Sequence, residues 1–155
     1  MSTFCVNKKA SYDYEILVEY EAGLVLFGYE VKSIKSGRVS LKGSFIRFQK
    51  KGQKNIPEPF LVNASIPIYK YASGIDNYKP ERSRKLLLHK KEIKKLLGKT
   101  HEQGLTLIPL KIYTKNSFLK LKFALARGKK KHDKRELIKK RDISRKIQRA
   151  IKLQN

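Results

Sequence analysis

Glu30-Val31-Lys32 is an acid-x-lysine element with Asp13 upstream of it. Two carboxylates can hold Mg²⁺ while a lysine stabilises the charge that develops at a cleaved phosphodiester, so Asp13, Glu30 and Lys32 are the candidate centre of a nuclease. Two features weigh against this. The element reads as part of a short helix, where such a centre needs a strand, and three-residue patterns recur by chance among 37 Lys and Arg. His89, His101 and His132 are scattered, and the single cysteine, Cys5, completes no zinc set. Neither G-x-x-x-x-G-K-[ST] nor G-x-S-x-G occurs. The residue types point to no catalysis, no metal and no cofactor.

Charge points to binding instead. The 155 residues carry a net +24, and so large an excess of one sign repels itself in a compact state unless an anionic partner screens it. Nucleic acid is the commonest such partner, with an anionic membrane surface second. Lys120 and Lys122 share one face of a strand, and Lys90, Lys91, Lys94 and Lys95 surround a short helix. Phosphate contacts by several lysines release counterions and give salt-sensitive affinity. Tyr12, Tyr14, Tyr20, Tyr29 and Tyr78 offer faces for unpaired bases, although most barrel tyrosines pack in the core or at its rim. A lone cysteine excludes an intramolecular disulfide, which suits a reducing cytoplasm. "TFCV" is too short for a secretory h-region, and no apolar run approaches a membrane span.

The charge is uneven. Residues 127–155 hold 13 Lys/Arg against 3 Asp/Glu, a net +10 in 29 residues, whereas the first 126 carry a net +14. The composition therefore divides the chain into a folded unit, 1–126, and a basic tail, 127–155. At the boundary stands "LARGKKKHDKREL", with Arg127, Gly128, Lys129, Lys130, His132, Asp133, Lys134 and Arg135. Flanking lysines favour the neutral imidazole of His132, which can stack on a base and hydrogen-bond to it. Further on, Ile143, Ile147 and Ile151 recur every fourth residue, with Lys and Arg covering the rest of the circumference. That is a basic amphipathic helix in potential, expected to be disordered when free and to fold on its partner. A peripheral membrane or partner-helix binder is the competing reading of such a tail.

The elements that position these residues read mostly as strands. In "YEILVEYE", Tyr14, Ile16, Val18 and Tyr20 fall on one face, with Glu15, Glu19 and Glu21 on the other. "GRVSLKG" sets Val39 and Leu41 against Ser40 and Lys42. "SFIRFQ" and "FLVNASIPIY" flank a polar Gly-containing loop suited to a hairpin. "LTLIPLKIY" carries Pro109, which marks an edge or a bulge. "FLKLKFALA" turns Leu119, Leu121, Phe123 and Leu125 inward. "GYEVKSIKSG" predicts a short helix ended by Gly37, and "HKKEIKKLLGK" another ended by Gly98. Short strands with few helices predict a mainly β fold: an OB-like closed antiparallel β-barrel with two or three short flanking helices and a basic C-terminal tail.

Five blocks, "NKKA", "YEAGLVLFGYEVKSIKSG", "RSRKLLLHKKEI", "GLTLIPLKIY" and "ALARGKKKHDKRE", occur in an order and spacing that resemble the small protein B (SmpB) family, the tmRNA-binding proteins of bacterial trans-translation. The resemblance implies a monomeric adaptor, not an enzyme, whose partners are tmRNA and the ribosome, through small-subunit RNA and the decoding centre. Elongation factor Tu with GTP and alanyl-tRNA synthetase would be met indirectly, through tmRNA. Carried over by position, Asn7, Glu21 and Leu87 would hold the tRNA-like domain of tmRNA, with Lys8, Lys85, Lys120 and Lys122 beside them. Arg127, Gly128, Lys129, Lys130, His132, Asp133, Lys134 and Arg135 would lie near the decoding centre, Gly128 supplying the bend out of the last strand. Ile143, Ile147 and Ile151 would follow the mRNA channel. From sequence alone, the apolar Leu87 would be assigned to the core. Tyr12-Asp13-Tyr14, Gly43-Ser44 and "NYKP" depart from the family's commoner residues.

Overall fold

Phe118–Gly128 shows how the sequence becomes sheet. Leu119, Leu121, Phe123 and Leu125 alternate along it and all four are buried, while Lys120 and Lys122 point the other way and stay half-exposed. In a computed structural model, the described residues are 2–50, 56–101 and 104–130, with 138, 142–144 and 146–147 beyond them. Their elements are β1 (Thr3–Val6), α1 (Ala10–Asp13), β2 (Tyr14–Leu24), α2 (Gly28–Lys35), β3 (Phe45–Gln49), β4 (Glu58–Val62), β5 (Arg84–Leu87), α3 (Lys90–Thr100), β6 (Leu105–Lys115) and β7 (Phe118–Gly128).

The strands close on themselves. In the order β6-β3-β4-β5-β2-β7, β7 pairs again with β6, and β1 lies outside the ring along β6. Every pairing is antiparallel. Closure satisfies edge groups that would otherwise be open to another chain. β6 and β7 are joined by Asn116 and Ser117, both at positive φ (48° and 66°), as a two-residue turn matched to strand twist requires. Inside the ring, Leu61, Leu86, Leu107, Ile112, Leu121 and Phe123 are almost wholly buried, and α2 and α3 add Ile34 and Leu96. A smaller cluster on the outer side, Ala10, Ile108 and Ala126, seats α1 against β6 and β7.

Four expectations need correction. "GRVSLKG" forms no strand; only Ser40 bridges, to Ser65, and Leu41 is buried from a turn. α3 runs through Gly98 to Thr100, and the left-handed glycine that follows is Gly104 (φ 78°). A register shift between Ile16 and Val18 breaks the alternation of β2, so Leu17 and Val18 are both exposed. Gly128 has no positive φ; it is the last residue of β7, opposite Tyr14, and its neighbour Lys129 donates its amide to the Asp13 carbonyl. By contrast, α2 ends at Gly37 (φ 78°), and Pro109 sits at the bulge of β6.

The irregular connection from β4 to β5 is held by a buried ionic knot. Glu30 on α2 and Arg84 on β5 are both inaccessible to solvent. Arg84 donates to Glu30 Oε1 (2.9 Å), to the carbonyls of Ala64 and Pro80 (2.7 Å each) and to the Tyr78 hydroxyl (3.0 Å). Arg82 forks both carboxylate oxygens, and Glu30 also accepts from the Phe27 amide (2.8 Å). Burial pushes the Glu30 carboxyl up, but the guanidinium of Arg82 and the other donors outweigh it, and its pKa is lowered.

Candidate nucleic-acid interface

The outer face of β1, β6, β7, β2 and β5 carries two rows of paired residues. In the first, Thr3 lies opposite Tyr113, Tyr113 opposite Lys120, Lys120 opposite Gly23 and Gly23 opposite Leu87. In the second, Val6 lies opposite Lys111, Lys111 opposite Lys122 and Lys122 opposite Glu21. Even numbers on β7 and odd numbers on β2 point outward because their neighbours fill the ring, so one alternation places every lysine of these rows on one surface.

Glu21 organises the cations. The Tyr113 hydroxyl donates to its carboxylate, Lys115 Nζ lies 3.3 Å from it and Lys120 Nζ 3.9 Å. The Tyr113 hydrogen bond, with the lysines behind it, holds the Glu21 carboxyl below its ordinary range. Burial and the neighbouring carboxylate push Tyr113 up to about 12. One strand position away, Lys122 pairs with Glu19. Lys111 Nζ stands 5.1 Å above the Tyr113 ring. A lattice of lysines held by two acids keeps the spacing of positive charge fixed, and phosphate contact needs that spacing.

Leu87 corrects the expectation of a core residue. It is 54% exposed at the end of β5, and its side chain lies over Gly23, where an added Cβ would stand 3.3 Å from it. An exposed leucine held in place beside Lys120 is a contact surface rather than packing. Lys85 points the same way and pairs with Glu58 at 2.7 Å. Asn7 and Lys8 follow β1 and Val6. Asn7 Nδ2 donates to the Pro109 carbonyl (3.0 Å), tying the chain to the bulge of β6, and Lys8 is exposed. Asn7 also lines an open groove of about 440 Å³ with Lys9, Asp13, Lys42 and Ser44. The sheet thus brings Glu21, Leu87, Lys120 and Lys122 together, with Asn7 and Lys8 at its margin and Lys85 one position along β5. Sequence reasoning missed Tyr113, Lys111 and Gly23. The bulge at Pro109 shifts the face of β6, and no periodicity announces where such a shift falls.

Of the junction, Arg127 and Gly128 are strand residues opposite Glu15 and Tyr14, and Lys129 Nζ donates to the Ser11 carbonyl at 2.7 Å. Lys130 is exposed. His132, Asp133, Lys134, Arg135 and Ile151 lie outside the described residues. Ile143 and Ile147 have helical backbone and are more than half exposed.

The nuclease set does not form a metal centre. Both Glu30 oxygens are taken by arginines in the buried knot, on a helix. Among the described residues, no three His, Cys, Asp or Glu are grouped to hold a metal ion. Nor is any described helix long and apolar enough to cross a membrane.

The chain is similar to known proteins along most of its length. The model of the family described as "SmpB protein" matches residues 4–153. The SsrA-binding protein of Oceanobacillus iheyensis is 51% identical over 146 residues, covering 94% of this chain and 90% of that one. The SsrA-binding protein of Thermosipho melanesiensis is 52% identical over 153 residues, covering 98% and 99%. A solved structure described as "tmRNA-SmpB: a journey to the center of the bacterial ribosome" is similar at TM-score 0.65 and 45% identity, covering 86% of this chain and 93% of its own.

Proposed function

The chain belongs to the SmpB family, and on that premise we propose that its outer sheet face grips tmRNA while its basic tail serves the ribosome. The protein is a tmRNA-binding adaptor of trans-translation that acts on the bacterial ribosome, and it is not an enzyme. Its working place is the bacterial cytoplasm, where ribosomes stall.

The observation that carries the finer reading is the pair of rows on β6, β7 and β2. They set Lys111, Lys120 and Lys122 on one face, with Lys120 beside Glu21 and Lys122 paired with Glu19, and place the exposed Leu87 beside them. Lysines supply affinity for the phosphates of the tRNA-like domain, and Leu87 supplies an apolar surface for a sugar or base. Glu21 fixes the lysines, since a carboxylate facing phosphate would repel it. Residues from Lys129 on, with Lys130, His132, Asp133, Lys134, Arg135, Ile143, Ile147 and Ile151, take the empty decoding site and the mRNA channel. There ribosomal RNA screens their mutual repulsion.

Titrating the tRNA-like domain of tmRNA against the full chain at several salt concentrations tests this. Each phosphate-contacting lysine contributes about −0.9 to the slope of log affinity on log salt. Replacing Lys120 and Lys122 by Gln is expected to weaken binding and flatten the slope by roughly two such units. Affinity and slope equal to the wild type would remove this face from the interface. Multiple-turnover RNA cleavage in Mg²⁺, abolished by Glu30→Ala, would overturn the adaptor reading altogether.

A further inference from the structure

A second surface lies on α2 and the connection from β4 to β5, elements that carry none of the residues in the two lysine rows. Phe27 is half exposed and stacks on Tyr29 (ring centroids 5.3 Å apart), which meets the edge of Tyr78 at 5.2 Å. One helical turn along α2, Lys32 Nζ stands 5.9 Å above the Tyr69 ring. Tyr69 in turn meets Tyr71 at 5.5 Å, and Tyr71, with Lys70 Nζ 5.6 Å above its ring, is 76% exposed. Arg82 belongs to both the knot and this surface: its guanidinium forks Glu30 and lies 4.2 Å from the centroid of Phe27.

We propose that this aromatic and cationic surface is a separate binding site for unpaired nucleotides, its rings stacking on bases while Lys32, Lys70 and Arg82 meet the phosphates. The proposal rests on the RNA-binding reading above and extends it to single-stranded RNA. Scattered exposed aromatics need no explanation, but a group of three contacting rings and a pair of two, interleaved with three cations, have the composition of a stacking platform. Rings that end in hydroxyls beside ammonium and guanidinium groups suit a polyanion with flat faces. They suit an acyl chain or an apolar helix poorly, because burying the cations there has no compensation. Asp76 and Glu81 lie in the same connection and limit the charge excess. Glu30 does not add to them, since its carboxylate is neutralised inside the knot. The knot also gives the platform its order. Tyr78 and Arg82, which support Tyr29 and Phe27, are both anchored on Glu30, so the rings are placed before a base arrives.

The test uses the full chain and an eight-nucleotide oligouridylate containing 4-thiouridine, which has no helix to offer. Irradiation and peptide mapping are expected to place crosslinks on Tyr69, Tyr71 or Phe27. Tyr71→Leu, which removes an exposed ring and leaves the core intact, is expected to weaken oligonucleotide binding roughly tenfold, the loss of one stacked base. The affinity of that variant for the tRNA-like domain is expected to match the wild type. Crosslinks confined to the basic tail, unchanged oligonucleotide binding by Tyr71→Leu, or capture of anionic vesicles in place of the oligonucleotide would overturn the proposal. Failure of the wild type to bind the tRNA-like domain would instead strike the function proposed above, so the two failures are distinct.

Discussion

The hydroxyl of Tyr113 on β6 donates to the carboxylate of Glu21 on β2, reaching across the strand between them. A single bond therefore ties both flanks of β7 while Lys120 and Lys122 project from its centre. Because the neutral phenol is favoured in the folded state, its pKa is raised to about 12. The stabilisation it represents is fully present below the ordinary phenol value near 10 and is lost as pH rises through about 12. Ultraviolet titration is expected to show Tyr113 ionising near 12, well above the ordinary phenol value, and Glu21→Gln is expected to lower that value. A Tyr113 that ionises at the ordinary phenol value near 10 would break the proposed link.

Gly23 and Leu87 give a second prediction. An alanine at 23 would crowd Leu87 at 3.3 Å, so Gly23→Ala is expected to displace the leucine, weaken binding of the tRNA-like domain and destabilise the fold slightly. Relieving the crowding reverses the sign. In a Leu87→Gly background, which takes away the Cβ as well as the Cδ1 that stand 3.3 Å from the added methyl, Gly23→Ala is expected to stabilise by about 0.5–1 kcal/mol, the usual backbone benefit of alanine over glycine in a strand. Urea unfolding of the four proteins measures the coupling, and strict additivity would deny the contact.

The buried knot predicts a large stability effect. Glu30→Ala leaves Arg84 buried without its anion and is expected to cost about 3–5 kcal/mol in urea unfolding. The Glu30 pKa is lowered in the fold, so its contribution is present above its ordinary value near 4.5 and is lost as pH falls through the lower folded value. Glu30→Gln is therefore expected to flatten the acid limb of the stability profile. A Glu30→Ala protein as stable as the wild type would refute the role of the knot.

How much of this was legible in the sequence depended on what set each feature. β7, the β3–β4 hairpin and α2 were legible because one alternation or one glycine stop determines each of them. The lysine face followed from the same alternation. Leu87 was misplaced because hydrophobicity alone cannot tell a strand's inner face from its outer one near a strand end. Its exposure follows from pairing with Gly23, a contact between residues far apart in the chain. Gly98 misled because a helix tolerates glycine when tertiary packing, here of Leu96, continues to hold it. The ionic knot joins Glu30 to Arg82 and Arg84 across about fifty residues of sequence, and no local pattern reports such a pairing. The five blocks supplied the functional roles that spacing could not.

The account divides the molecule between a sheet that holds tmRNA and a tail that works on the ribosome. Because β7 ends at Gly128 and Lys129 is bonded back to α1, removing residues 131–155 spares the described ring. The most direct test measures, for that shortened protein and for the full chain, affinity for the tRNA-like domain and tagging of nascent chains on stalled ribosomes. The account predicts nearly full affinity with tagging abolished. Parallel loss of both, or tagging that survives without the tail, would contradict it.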